Sequence, residues 1–175
     1  DLQRHLGPKP YLLADHTEAG YNQRMTDIQA ALGLAQMNRA EDILIERAKI
    51  AKRYSVGLKD CKQVILPSEI TNHTNGYQSF PCVFNSLGTH YENINEIEEN
   101  RNAFMEDLFK NGISTRPATH SVVSLSYYKN KYKIEEENFP KATLASKASF
   151  SLPLYNGMSN KEVDYVINAV IKYFQ

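Results

Sequence analysis

The chain has 175 residues, of which 20 are basic and 20 acidic, so its formal net charge is zero. This balance gives no electrostatic reason to expect nucleic acid or an anionic membrane as the main partner. With 42% hydrophobic residues, no apolar run near the roughly 20 residues that cross a bilayer and no signal-peptide core at its start, the sequence predicts a cytoplasmic globular protein, most simply one domain.

The first 19 residues contain Gly7, Pro8 and Pro10 and show neither helical nor strand periodicity. Such a segment predicts an irregular lead-in, with the folded domain at residues 20–175. A domain that begins in this way is typical of a piece of something longer.

A long helix is predicted next. Thr26 and Gln29 form a capping box, in which the hydroxyl accepts from a free backbone N–H and the amide reaches back, so the helix should begin at Thr26. No proline follows until after Leu58, which gives about 33 residues, or roughly 50 Å at about 1.5 Å per residue. The apolar positions change phase near Met37, which indicates a bend or a change of packing partner. A domain of this size cannot cover such a helix by itself.

Tyr21, Asn22 and Arg24 stand just before this helix. An aromatic ring, an amide and a guanidinium next to a helix start could hold an anion, because unpaired N–H groups and the helix dipole favour negative charge there. In the alternative interpretation, Asn22 and Arg24 only shape the turn and pair with nearby carboxylates.

The middle of the chain predicts two strands and a helix. Residues 63–67 and 77–84 have strand composition, and Pro81 within the second argues for an edge strand or a bulge. A helix should begin between Asn95 and Asn100 and end at Asn111, because Gly112 suits a left-handed cap. Its predicted apolar stripe consists of Phe104, Met105, Leu108 and Phe109.

Residues 113–116 read as a third strand, which gives a β-α-β order and a two-layer α+β fold. Tyrosines and lysines are interleaved over residues 127–133, but residues 135–137 are glutamates that neutralise the charge of the lysines. We therefore do not expect a nucleic-acid platform there. A helix should open at Pro140 with small packing residues at Ala142, Ala145 and Ala148. Ser159 and Glu162 predict a second capping box, followed by a final helix with a regular apolar stripe.

Two cysteines, Cys61 and Cys82, fit no metal-binding spacing, and no histidine pair stands at zinc-ligand distance from them. We therefore predict two reduced, structural thiols and no metal site.

Three stretches resemble those of pyridoxal-phosphate-dependent sugar aminotransferases of the DegT/DnrJ/EryC1/StrS family: residues 20–33, 112–122 and 151–163. The resemblance implies the small C-terminal domain of a fold-type I transferase. Its expected class is α+β, with a long N-terminal helix and a small, mainly antiparallel sheet covered by helices. Residues 1–19 would then lead in from a large cofactor domain.

The resemblance also assigns site residues. It implies that Asn22 and Arg24 bind the cofactor, with Asn22 reaching the cofactor phosphate of a neighbouring subunit in a homodimer. Tyr21, Arg116 and His120 would bind substrate. From the residues alone, Arg116 could equally be a surface ion-pair residue and His120 a satisfied loop histidine. At position 23 the family usually has an aromatic residue, where this sequence has Gln23.

The implied reaction moves an amino group from an amino acid, L-glutamate in most of the family, to a nucleotide-linked keto sugar. No lysine here lies in a motif that matches the Schiff-base lysine, and Lys141 and Lys147 are expected on a solvated helix face. We therefore assign no catalytic residue to this chain and expect it to be inactive alone. The alternative is a non-catalytic α+β dimerisation or regulatory module that derives from such enzymes.

Overall fold

The computed structural model describes residues 9–85, 88 and 90–175, so Gly7 and Pro8 of the lead-in lie outside it. The helices and strands follow one another as α1 (Asp27–Met37), α2 (Ala40–Gly57), β1 (Val64–Ile65), β2 (Phe80–Phe84), α3 (Ile94–Lys110), α4 (Ser126–Tyr132), α5 (Pro140–Ala148), β3 (Ser149–Leu152) and α6 (Asn160–Tyr173).

The three strands form one antiparallel sheet in the order β1-β2-β3, with Val64 opposite Phe84 and Phe80 opposite Leu152. Alternate residues of β2 are buried, as expected when one face of a sheet packs against a core. The core joins the sheet to α2, α3 and α6, and its largest fully buried side chains are Tyr54, Phe80, Phe84, Phe104 and Phe150. The predicted α+β class with an antiparallel sheet under helices is therefore confirmed.

The predicted 33-residue helix is wrong, because the structure has two helices with a break at Asn38 and Arg39. The Arg39 N–H donates to the Gln36 carbonyl, three residues back, so the helical turn tightens where the apolar phase changes. The capping box is confirmed: Gln29 N–H donates to the Thr26 hydroxyl and Thr26 N–H to the Gln29 side chain. Only α2 packs into the core, whereas α1 has no buried residue.

Pro81 lies in the central strand rather than at an edge or a bulge, which corrects the prediction. β1 is only two residues long and pairs with positions 83 and 84, so it does not reach Pro81. On the other side Pro81 faces Ser151, whose N–H donates instead to the Arg116 carbonyl at 2.7 Å. The Pro81–Ser151 pair is thus of the kind that exchanges no hydrogen bonds, and the missing proline N–H costs nothing there.

Residues 113–116 do not form a strand, because only Arg116 bridges to Ser151. The third strand is β3, which the sequence did not predict. It follows α5 directly, with no loop between them. A strand that follows a helix directly has no glycine or proline to mark its start.

α3 begins at Ile94, just before the predicted window, and ends at Lys110, one residue before the predicted end, with Asn111 as its C-cap and Gly112 at φ +76°. Three of its four predicted apolar residues are fully buried, but Phe109 is 45% exposed. The buried face of α3 also includes Ile97 and Arg101.

α5 begins at Pro140 as predicted, but it buries Thr143 and Ser146 with Ala148, while Ala142 and Ala145 are exposed. Lys147 is less solvated than predicted, because its amine lies 3.0 Å from the Glu98 carboxylate on α3.

α6 begins with the predicted capping box of Ser159 and Glu162 and buries Val163, Val166, Ile167 and Val170. Cys61 and Cys82 are free thiols, as predicted, and Cys82 is buried. In the described part of the chain no cluster of three metal-ligating side chains occurs, and no helix combines the length and apolarity that a membrane span requires.

Candidate functional site

The turn before α1 lies on an open surface. Tyr21 is 93% exposed, and the side chains of Asn22 and Arg24 are exposed beside it. Within residues 9–85, 88 and 90–175 neither Asn22 nor Arg24 makes a hydrogen bond or an ion pair. The alternative in which they pair with nearby carboxylates therefore finds no support among the described residues, and the turn presents its donors to an outside group.

The helix start behind this turn can also donate. The capping box uses the N–H groups of Thr26 and Gln29, and Ala30 N–H donates to the Thr26 carbonyl. The N–H groups of Asp27 and Ile28 point out of the first turn without a partner in the described structure. These N–H groups, the Asn22 amide and the Arg24 guanidinium are all donors of the kind that binds a phosphate group. The Asp27 carboxylate lies in the same turn and offsets part of this positive field.

The surface of α1 is apolar on more than one side. Ile28 and Leu32 are 78% and 65% exposed, and Leu34 and Met37 are 69% and 67% exposed. At about 100° per residue, Leu34 lies roughly 200° around the helix from Leu32. A helix that is apolar all round is normally enclosed. The turn at Asn22 therefore sits at the end of a helix whose apolar sides are not covered by the described chain.

Arg116 lies at the edge of the sheet with its backbone fixed and its side chain exposed. Its carbonyl accepts from Ser151 N–H at 2.7 Å, and the preceding Thr115 is 2% exposed. The Arg116 guanidinium makes no ion pair with any described residue, so the interpretation as a surface ion-pair residue also finds no support here. The chain continues from Arg116 through Pro117 to His120.

His120 contacts a residue that the sequence analysis missed. The rings of His16 and His120 lie with their centroids 6.1 Å apart, tilted by 53°. The lead-in is held there because Ser126 N–H donates to the Asp15 carboxylate at 2.9 Å and Tyr127 N–H donates to the His16 carbonyl at 3.0 Å. The hydrogen bond from Ser126 lowers the pKa of Asp15. Asp15 and Ser126 are 111 positions apart, so no local pattern could have found this contact.

The structure thus brings His16 to His120 but leaves the turn at Asn22 in a separate cluster. In the described part of the chain no hydrogen bond or ring contact joins Tyr21, Asn22 or Arg24 to Arg116 or His120. Six residue steps separate His16 from Asn22, so their Cα atoms lie at most about 22 Å apart, which limits the distance between the two clusters.

The sequence profile of the DegT/DnrJ/EryC1/StrS aminotransferase family matches residues 7–171. The GDP-perosamine synthase of Escherichia coli O157:H7 is 30% identical over 91% of this chain and 39% of its own length. The spore coat polysaccharide biosynthesis protein SpsC of Bacillus subtilis is 31% identical over 86% of this chain and 37% of its own length.

Among solved structures, the PLP-form of the putative sugar aminotransferase Spr1654 from Streptococcus pneumoniae has 28% identity and a TM-score of 0.72, over 83% of this chain and 35% of that one. The chain spans well under half the length of the relatives that it matches.

Proposed function

Because the chain belongs to the DegT/DnrJ/EryC1/StrS aminotransferase family, we propose that it is the C-terminal domain of a pyridoxal-phosphate-dependent sugar aminotransferase. The full-length enzyme transfers an amino group from an amino acid, L-glutamate in this proposal, to a nucleotide-linked keto sugar in the cytoplasm. Residues 1–19 are the lead-in from the large domain and residues 20–175 are the C-terminal domain. The likeness to a solved PLP-form and to a GDP-perosamine synthase supports this proposal.

In this proposal the chain's own contribution is binding. When bound, pyridoxal phosphate supplies the electron sink for the exchange of an amino group. Asn22 and Arg24 hold the cofactor phosphate through the side-chain amide and the guanidinium, just before the capped start of α1. No residue of this chain takes a catalytic part, so the chain alone is inactive.

Substrate binding falls to the remaining three residues. Arg116 offers a planar set of donors for a phosphate or carboxylate, and its backbone is held to the sheet by Ser151. His120 donates or accepts a hydrogen bond beside it. The exposed ring of Tyr21 provides a flat apolar surface for the sugar or the nucleotide.

We propose that the full-length protein is a homodimer with sites shared between subunits. Apolar side chains are exposed on opposite sides of α1, and two partners could bury them: the large domain of the same subunit and the neighbouring subunit. The turn at Asn22 projects from the end of that helix and would then reach the cofactor phosphate of the neighbour.

The observation that carries the proposal is the open turn at Asn22, at the start of a capped helix and inside the segment that matches the family. In the full-length protein Asn22→Ala removes one hydrogen bond to a charged phosphate, worth about 1.5 kcal/mol, or roughly a tenfold rise in the dissociation constant of pyridoxal phosphate. The measurement is cofactor retention after dialysis, followed by the visible absorption of the bound cofactor.

Asn168→Ala is the matched control, because Asn168 is an exposed asparagine on α6, away from both clusters. Equal retention by the parent protein and both variants would contradict the role given to Asn22. Loss of retention in Asn168→Ala as well would point to a general loss of fold rather than to the turn.

A second candidate is a non-catalytic module that dimerises or regulates through α1, and the absence of any buried residue on α1 favours it. It predicts that the chain dimerises in sedimentation equilibrium while the full-length protein neither binds pyridoxal phosphate nor transfers an amino group. Cofactor binding by the full-length protein would exclude this candidate.

A further inference from the structure

The lead-in crosses the molecule beside the segment that carries Arg116 and His120. Tyr11 donates to the Glu106 carboxylate at 3.0 Å, and the Asp15 carboxylate accepts from Ser126 N–H at 2.9 Å. The His16 backbone is fixed in turn by the hydrogen bond from Tyr127 N–H. The backbone of the lead-in is therefore held at Tyr11, Asp15 and His16, which places the His16 side chain next to His120.

The two imidazoles form an open pair. Both His16 and His120 are exposed, and their ring centroids are 6.1 Å apart. Across residues 9–85, 88 and 90–175 no hydrogen bond involves a ring nitrogen of either histidine. The four ring nitrogens are therefore without a hydrogen-bond partner among the described residues, on two rings that lie side by side.

Both signs of charge are present around this pair, since the Asp15 carboxylate acts on His120. Arg116 lies four residues before His120 on the same segment, and the Asp15 carboxylate is engaged by the Ser126 and His16 N–H groups. Lys131 on α4 donates to the hydroxyl of Tyr127, the residue whose N–H holds the His16 carbonyl. Burial and then the neighbouring His16 lower the pKa of His120, and the Asp15 carboxylate opposes that shift. An anion between the rings would raise both pKa values and bring a proton with it.

We propose that His16 is a second substrate-contacting residue, and that His16 and His120 together bind the diphosphate of a nucleotide-linked substrate. This inference rests on the proposed function, which supplies such a substrate. Each ring donates one N–H to a phosphate oxygen, and a proton taken up on binding turns one of these contacts into a charge-assisted hydrogen bond.

The test is a proton NMR titration of the full-length protein with GDP-mannose, whose diphosphate keeps a fixed charge over the pH range used. The imidazole signals of His16 and His120 should shift together at one saturating concentration, and both pKa values should rise. His73 is the internal control, because it is an exposed loop histidine that the ligand should leave unchanged. Guanosine, which lacks phosphate, should move neither ring of the pair.

His16→Asn and His120→Asn should each weaken binding of GDP-mannose by roughly five- to tenfold, while His73→Asn should leave it unchanged. Because binding takes up a proton, affinity should rise as the pH falls from 8 to 6 in the parent chain, and this dependence should flatten in both pair variants. His16→Gln keeps an N–H donor and should restore part of the affinity but not the pH dependence.

A shift of His120 alone, an equal response to guanosine, or no response of either ring would overturn the inference. So would saturation of both rings by Zn²⁺ without any response to GDP-mannose, because it would assign the pair to a metal. The titration needs no cofactor. Failure of the full-length protein to bind pyridoxal phosphate would therefore remove the proposed function without altering what the two rings report.

Discussion

The buried charge of Arg101 stabilises the strand that holds the Arg116 segment. Its side chain is 3% exposed on α3, and it donates to the Ser149 carbonyl at 3.2 Å at the start of β3. Burial lowers the pKa of Arg101 to about 10, against the opposing charge of Glu98, so it stays protonated at neutral pH. β3 also carries Ser151, which holds the backbone of Arg116. Arg101 thus fixes the strand on which the Arg116 segment rests.

Arg101→Ala should lower the free energy of unfolding by about 2 kcal/mol, because it leaves the buried Ser149 carbonyl without its donor and opens a cavity beside Met105. Urea denaturation followed by circular dichroism measures this change. Lys141→Ala, at an exposed position on the adjacent α5, is the control and should stay close to the parent value. A variant of Arg101 that unfolds at the parent midpoint would show that the buried guanidinium adds nothing to stability.

Two helices begin with the same capping box but differ in what they bury. α6 covers four apolar residues in the core, whereas α1 has no buried residue. An isolated helix of 11 residues is only marginally stable in water, so α1 depends on its cap in this chain far more than α6 does.

Ser159→Ala should therefore lower the global free energy of unfolding by about 1 kcal/mol, the usual cost of losing a cap on a packed helix. Thr26→Ala should leave that value unchanged and instead speed hydrogen exchange of the hydrogen-bonded amides of α1, from Gln29 onward. Peptide-level exchange with mass spectrometry, run beside denaturation, separates the two effects. If Thr26→Ala lowered global stability as much as Ser159→Ala, α1 would have to be packed after all.

The crossing of α2 and α6 depends on a glycine. A Cβ at Gly57 would lie 2.6 Å from Ile167 Cδ1 and 3.0 Å from its Cγ2, so the two helices approach too closely for a side chain there. Ile167 is β-branched and cannot easily turn away.

Gly57→Ala should accordingly lower the free energy of unfolding by about 1–3 kcal/mol, even though alanine favours a helix. The matched control is Gly33→Ala on α1, where a new Cβ would meet nothing within 4 Å. This variant should raise helicity by circular dichroism without any loss of stability. Thermal melts of the two proteins decide the matter, and a stabilised Gly57→Ala would mean that the helices can separate without cost.

At the scale of the whole molecule, local patterns predicted the elements and tertiary contacts decided the rest. Both capping boxes and the Gly112 cap were predictable, because each depends on residues within four positions. The missed features depend on distant partners. β3 exists because it pairs with β2, Pro81 is tolerated because β1 is short, and His16 reaches His120 through contacts over more than 100 positions.

The candidate site also combines features that the sequence predicted with features that it did not. A resemblance over residues 20–33 indicated the turn at Asn22, and the structure leaves that turn open. The length of the predicted helix already indicated that the domain could not cover it by itself, but it did not indicate that α1, rather than α2, would be left exposed. The covering surfaces lie outside this chain in our proposal, which accounts for a well-formed helix with nothing packed against it.

The central claim is that the turn at Asn22 holds the cofactor phosphate of a neighbouring subunit. The most direct measurement is a crystal structure of the full-length protein with pyridoxal phosphate. We predict a dimer in which the Asn22 amide and the Arg24 guanidinium lie within about 3 Å of phosphate oxygens in the partner's site. A dimer in which this turn faces solvent, or a cofactor phosphate held entirely by residues of its own subunit, would contradict the account.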